Sequence, residues 1–236
     1  MLKPVLILKC GAVPKRMSLE DFATMFLKTA GLKDGQARVV DATLRRTLPE
    51  PLDFSAAMVT GSLSMVTAQP AWSLRLSRWL EKALADEFPV LGICYGHQLM
   101  AQVMGGRVGF HPGGLEIGTF DVHLAPQGAA HPVFEGLPPS FPANMAHSQS
   151  VLEPPPGATV LGKSDHDPCQ ILAYRPKALS FQFHPEFDRR IMAAFLATIR
   201  PPYRATTGRP PGLVKAPARD TPEAAHLLKS FLAIFG

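Results

Sequence analysis

Residues 89–101 read Pro-Val-Leu-Gly-Ile-Cys-Tyr-Gly-His-Gln-Leu-Met-Ala. Val90, Leu91 and Ile93 form a short bulky apolar run suited to a buried strand, and Gln98, Leu99 and Ala101 then fall at helical spacing. The period changes within one residue, so the segment is predicted to be a strand-to-helix elbow with the thiol of Cys94 at its apex. Gly92 and Gly96 flank the cysteine. A nucleophile on so tight a turn needs neighbours without Cβ atoms, because chain and substrate both approach closely. A helix beginning after Cys94 aims its free N–H groups and positive dipole end at the sulfur, which favours negative charge there.

Working outward, the pattern of strand followed by helix recurs. Residues 4–9 read as a buried strand, Ser18 and Asp21 as the capping region of an amphipathic helix through Phe22, Met25, Phe26 and Ala30, and residues 37–42 as a second strand. Ala56 to Thr60 is another apolar run, ending at Gly61-Ser62, and Trp72 to Glu87 is a helix leading into the elbow strand. Four such alternations predict an α/β chain with a parallel, doubly wound sheet and helices on both faces. In such sheets ligands bind at the carboxyl edge, where both Gly61-Ser62 and Cys94 should lie.

Beyond the elbow, residues 119–124 alternate as a half-buried strand. Residues 126–142 read as loop, and 145–151, 159–162 and 170–174 as short strands. Leu179 to Phe183 makes a strand ending in His184-Pro185-Glu186, followed by a helix from about Phe187 to Ile199. Residues 200–221 read as a basic, Pro-rich loop and 222–236 as a closing helix. The whole of residues 1–236 is expected to form one domain.

Composition narrows the function. The chain has 24 Lys and Arg against 19 Asp and Glu, and the excess is accounted for by Arg200, Arg204, Arg209, Lys215 and Arg219 in the one Pro-rich segment. The rest of the chain is electrically balanced, which argues against nucleic-acid binding. Three scattered cysteines provide neither a disulfide framework nor a paired zinc site and fit a reducing cytoplasm. No window approaches a membrane span, and the first apolar run is too short for a signal segment. The histidines lack metal-binding spacing and no Gly-x-x-x-x-Gly-Lys loop is present, so neither a metal nor another cofactor is expected.

Cys94 needs a base and an oxyanion site to act as a nucleophile. His184 is the best base among eight histidines, since Glu186 two residues on can point to the same side at a strand end and hold one ring nitrogen. The backbone N–H of Tyr95 and one from the Gly61-Ser62 loop would complete an oxyanion hole. Cys10 and Cys169 have no partner motif and read as small buried hydrophobes, His97 and His147 as structural, and Trp72 and Trp79 as core anchors.

Together, Gly92-Ile93-Cys94-Tyr95-Gly96-His97-Gln98, Phe183-His184-Pro185-Glu186-Phe187, Thr60-Gly61-Ser62 and Ala146-His147-Ser148-Gln149-Ser150-Val151 resemble the class I, triad-type glutamine amidotransferases. They are most like stand-alone proteins similar to the amidotransferase domain of GMP synthase. The resemblance covers about Ala37 to Ile199. It implies a flavodoxin-like fold and a glutaminase reaction with Cys94 as nucleophile, His184 as general acid and base, and Glu186 as its orienting partner. Gly61 and Tyr95 would supply oxyanion N–H groups, Gln98 would contact bound glutamine, and the backbone at Ser148 and Gln149 would hold its α-carboxylate and α-amino group. The substrate would be L-glutamine or another γ-glutamyl compound. Gly61-Ser62-Leu63 departs from the usual Gly-Gly-Pro of the family. No synthase domain follows Gly236, so ammonia is expected to pass to a separate acceptor or synthase subunit. The same triad would also serve a γ-glutamyl peptidase, and a non-catalytic partner-binding subunit is the remaining expectation from another class.

Overall fold

The computed structural model describes residues 3–207, 212–215 and 217–236. The chain opens with β1 (Val5–Lys9), α1 (Phe22–Ala30), β2 (Ala37–Asp41), β3 (Ala57–Val59), α2 (Ala71–Ala85), β4 (Val90–Ile93) and α3 (Tyr95–Val103). It continues through β5 (Arg107–Phe110), β6 (Glu116–Leu124), α4 (Pro126–Ala129), β7 (Ser140–His147), β8 (Gln149–Glu153), β9 (Thr159–Lys163), β10 (Ile171–Arg175) and β11 (Ala178–Phe181). It ends with α5 (Arg189–Thr207), β12 (Leu213–Lys215) and α6 (Pro222–Phe235).

Strands β2-β1-β3-β4-β11 run parallel in that order, and β10, β9, β6 and β7 extend the same sheet in antiparallel fashion, with β12 parallel to β6 at its edge. The parallel half matches the expected doubly wound arrangement. Its inner strands β1, β3, β4 and β11 are buried on both faces, as bulky continuous apolar runs require, while β2 at the edge is half-exposed. Leu6, Leu8, Val59 and Val90 pack with Leu76, Leu80 and Leu99 of α2 and α3. Ile7, Met58, Leu91 and Ile93 pack with Phe26, Leu227 and Phe231 of α1 and α6 on the other side. Each such fully buried side chain contributes about 1.5–3 kcal/mol, against about 1–2 kcal/mol for ordering one residue of backbone.

Local chemistry sets the element ends. The cap of α1 is Asp21, whose Oδ1 accepts from Ala23 N at 2.9 Å, whereas Ser18 sits at φ 51° at the end of the preceding turn. Trp79 donates from Nε1 to the Pro49 carbonyl at 2.7 Å, pinning the long loop before β3 onto α2.

Three segments depart from the sequence expectation. Residues 145–151 are two strands, because the chain leaves the large sheet at His147, paired with Glu116, and joins β5 from Gln149, paired with Phe110. Ser148 is the seam between the two sheets. Residues 126–142, expected as loop, hold α4 and the start of β7, since Val133, Phe134 and Phe141 are drawn into the core against Phe181 and Phe183. The helix expected over 187–199 is α5, which begins two residues later, capped by Asp188 Oδ1 accepting from Ile191 N at 2.7 Å, and runs on to Thr207. The loop expected over 200–221 is therefore partly helix and partly β12; residues 208–211 and 216 of it lie outside the described residues.

The elbow depends on glycine at both flanks. A Cβ on Gly96 would stand 2.6 Å from the Val59 carbonyl oxygen, and one on Gly92 would stand 2.7 Å from the Gly96 carbonyl. These neighbours are backbone and cannot swing away. Gly96→Ala is therefore expected to lower stability by about 1–3 kcal/mol, read as a drop in the midpoint of chemical denaturation; an unchanged midpoint would show that α3 is free to move off β3.

Candidate active site

Cys94 stands between β4 and α3 with φ 49° and ψ −95°, a conformation outside the ordinary left-handed basin that costs about 1–3 kcal/mol. The turn is held from both sides. Cys94 N donates to the Phe181 carbonyl at 2.8 Å, and its own carbonyl accepts from Gln98 N at 3.0 Å as the first bond of α3. The N–H groups of Tyr95, Gly96 and His97 precede that bond, at the end of the helix where donors lack partners along the chain. The Tyr95 side chain is turned away, with its hydroxyl bonded to Ser73 Oγ at 2.6 Å and its ring against Trp72. Only its backbone is available to a ligand at the elbow.

His184 and Glu186 meet as expected, by a different route. Strand β11 ends at Phe181, and His184 to Phe187 forms a turn closed by Phe187 N donating to the His184 carbonyl at 3.3 Å. The turn, rather than strand alternation, brings His184 Nδ1 to 2.7 Å from Glu186 Oε1. Both residues are 3% exposed, and Phe187 stacks flat on the imidazole with centroids 4.0 Å apart. Burial taken alone pulls the His184 imidazole down, but the charge of Glu186 and its contact with Cys94 outweigh it and carry it up to about 10. Gly61 lies against this group: a Cβ there would be 2.7 Å from His184 Cε1 and 3.7 Å from Cys94 Cβ. The loop after β3, the elbow and the late turn therefore converge at one sheet edge.

The residues expected to hold an amino-acid head group are close by and buried. Gln98 Nε2 donates to the Gln149 carbonyl at 2.6 Å and to Gln182 Oε1 at 3.0 Å. The Gln149 side chain reaches the other way, donating to Thr67 Oγ1 at 2.6 Å, so it tethers the loop that carries Gly61. Ser148 accepts His111 N at its carbonyl, 3.0 Å away, and its hydroxyl lies 3.8 Å from Met65 Sδ.

Other histidines and cysteines divide by their neighbours. Burial pushes His97 down to about 4, and its Nδ1 pairs with Ser180 Oγ at 2.7 Å, which makes it a neutral packing residue of α3. Burial pushes the Cys169 thiol up to about 12 and the Cys10 thiol up as well, so both stay protonated. Sequence reasoning passed over Asn144, whose carbonyl accepts from His184 N at 2.8 Å and whose amide donates to the Phe187 carbonyl at 2.7 Å. It braces both ends of the His184 turn. It also passed over Glu116, a fully buried carboxylate bonded to His147 Nε2 at 2.7 Å. The sequence signal for Glu116 was an acid set between Leu115 and Ile117 in an otherwise apolar run.

A cavity of about 260 Å³ lies behind the turn, bordered by Glu186, Phe187, Arg190 and Thr221 among others; Cys94 and Gly61 do not line it.

Comparison with known proteins places the chain among relatives. The chain is 27% identical over 176 residues to γ-glutamyl peptidase 5 of Arabidopsis thaliana, covering 72% of this chain and 70% of that protein. It is 33% identical over 184 residues to the glutamine-hydrolyzing GMP synthase of Aeropyrum pernix, covering 75% of this chain and only about a third, 34%, of that longer protein. A solved glutamine amidotransferase from Thermotoga maritima shares the fold over 100% of this chain and 99% of its own, with a TM-score of 0.75 at 20% identity. The family model for class-I glutamine amidotransferases matches residues 44–197, which takes in the Gly61 loop, the elbow, the Ser148 seam and the His184 turn: the chain belongs to the class-I glutamine amidotransferase family.

Proposed function

We propose that the chain hydrolyses the side-chain amide of L-glutamine and delivers ammonia to a separate acceptor or synthase subunit in the cytoplasm. The observation that carries this reading is the convergence of Cys94, the His184–Glu186 pair and Gly61 at one sheet edge. The Cys94 sulfur attacks the γ-carbonyl carbon, and the resulting oxyanion is met by N–H groups of Gly61 and Tyr95. The carbon–nitrogen bond then breaks, ammonia leaving with a proton from His184 and the acyl group remaining as a thioester. Water adds to the thioester, giving its proton to His184, and the carbon–sulfur bond breaks to release glutamate. Glu186 keeps Nδ1 protonated and Nε2 turned to the reacting atoms. Gln98, whose amide nitrogen is committed to Gln149 and Gln182, offers its oxygen to the substrate, and the main chain at Ser148 and Gln149 offers the groups for its α-substituents.

The test is release of glutamate and ammonia from L-glutamine, measured with the protein alone and in cell extract. Cys94→Ala is expected to lower turnover by at least about a thousandfold; a variant as active as wild type would remove the thioester route.

His184 must carry its proton to release ammonia, so kcat/KM is expected to decline on the alkaline side near its value of about 10. Glu186 is one of the groups holding that value up, so Glu186→Gln should move the alkaline limb to lower pH. A pH profile whose limb does not move would detach Glu186 from His184.

A second reading, a γ-glutamyl peptidase with the same residues, is favoured by the γ-glutamyl peptidase relative, which matches over most of both chains. The two readings predict opposite orders of kcat/KM for glutamine and for a γ-glutamyl dipeptide, and competition between the two substrates in one assay decides which holds.

A further inference from the structure

The chemistry proposed above makes no use of the buried pair Glu116 and His147. Glu116 opens β6 with none of its surface exposed. Its Oε1 accepts from Ser164 Oγ at 2.9 Å, and its Oε2 from His147 Nε2 at 2.7 Å and Gln170 Nε2 at 2.8 Å. Three donors surround it, which is the environment of an ionised carboxylate.

The other ring nitrogen of His147 faces the Gln149 carbonyl at 3.1 Å, with Ser150 Oγ at 3.4 Å. One nitrogen therefore looks at a carboxylate and the other at a carbonyl. A neutral imidazole has one proton to donate and can serve only one of these two acceptors, whereas the imidazolium serves both. The electrostatics agree: burial alone draws His147 down, and Glu116, with Asp167 and Cys94, outweighs it and holds it up to about 9.

The Gln149 carbonyl that receives His147 is the same one that receives Gln98 Nε2. A continuous path thus runs from Glu116 on β6, through His147 and across the Gln149 peptide, to Gln98 four residues beyond Cys94 on α3. It crosses the seam at Ser148. We propose that Glu116 and His147 are positioning residues whose buried ion pair fixes the Ser148–Gln149 main chain against Gln98, and so shapes the wall that receives the α-amino and α-carboxylate groups of the substrate. This inference rests on the γ-glutamyl reading of the site.

Glu116→Gln removes the charge that keeps His147 doubly protonated. With a single proton left on the ring, His147 can no longer donate to residue 116 and to the Gln149 carbonyl together, and when that proton sits on Nε2 the Nδ1 lone pair opposes the carbonyl. The Cys94 turn keeps its own bonds to Phe181 and Gln98 N, so the wall is loosened while the elbow is retained.

The experiment compares two alkylating agents on Cys94 in the full-length protein. Iodoacetamide needs no amino-acid head group, whereas 6-diazo-5-oxo-L-norleucine carries the α-groups of glutamine. Glu116→Gln is expected to slow the diazoketone about tenfold and to leave iodoacetamide within about twofold. Ser164→Ala removes one donor to Glu116 and should give the same split at about threefold. Equal slowing of both reagents, or no slowing of either, overturns the proposal; should Glu116→Gln fail to fold, Ser164→Ala decides by the same criteria. Wild type that reacts with iodoacetamide but resists the diazoketone would overturn the γ-glutamyl reading, and this inference with it.

Discussion

The close approach of Gly96 to Val59, near enough that a single added methyl would strike the carbonyl oxygen at 2.6 Å, is the constraint on which the site depends. It lets α3 start against the end of β3 with no side chain between them. That contact, with the bonds from Cys94 N to Phe181 and from Gln98 N to Cys94, holds the cysteine in its strained conformation. The strain is local and the restraint is distributed: β3, β11 and α3 each contribute one part of it, and each also carries or leads to a part of the site. Gly61 follows β3, His184 follows β11 and Gln98 lies on α3. The backbone contacts that bend the elbow therefore also set the separation of Cys94, His184, Gly61 and Gln98.

Buried imidazoles around the elbow show how neighbours decide protonation where burial is nearly the same. His97, His147 and His184 are all shielded from water, and desolvation acts on each in the direction of the neutral form. His97 has Ser180 as its close partner and ends at about 4. His147 and His184 each have a carboxylate oxygen at 2.7 Å and end at about 9 and about 10. A buried imidazolium beside a buried carboxylate is a neutral unit, and its retention requires that the remaining polar atoms find partners. Glu116 meets that requirement through Ser164 and Gln170. Glu186 meets it less fully: its Oε2 has no hydrogen-bond partner among the described residues.

What could be read in the sequence was what is encoded locally. The elbow at Cys94 is announced by a change of period and two glycines within seven residues, and the parallel half of the sheet by repeated alternation of apolar runs with amphipathic helices. The pairing of His184 with Glu186 followed from their spacing, although a turn produces it and not a strand. What could not be read depends on where distant segments meet. Nothing within residues 145–151 marks Ser148 as the point where the chain changes sheets, because β6 and β5, thirty or more residues upstream in register, determine it. The roles of Glu116 and Asn144 have the same origin, since their partners lie 31 to 54 residues away for Glu116 and 43 for the Phe187 carbonyl. The helical and strand content within residues 200–221 was hidden by a proline-rich composition that reads as irregular chain.

The seam at Ser148 separates two responsibilities. The large sheet carries Cys94, the His184 turn and the Gly61 loop, while the two-stranded sheet of β5 and β8 takes up the chain from Gln149. Where Gln149 stands relative to Gln98 is therefore a matter of how one sheet is seated on the other, while Cys94, His184 and Gly61 all follow strands of the large one. Substitutions along β5 and β8 can therefore alter the Gln149 side of the elbow without displacing the bonds that hold the Cys94 turn.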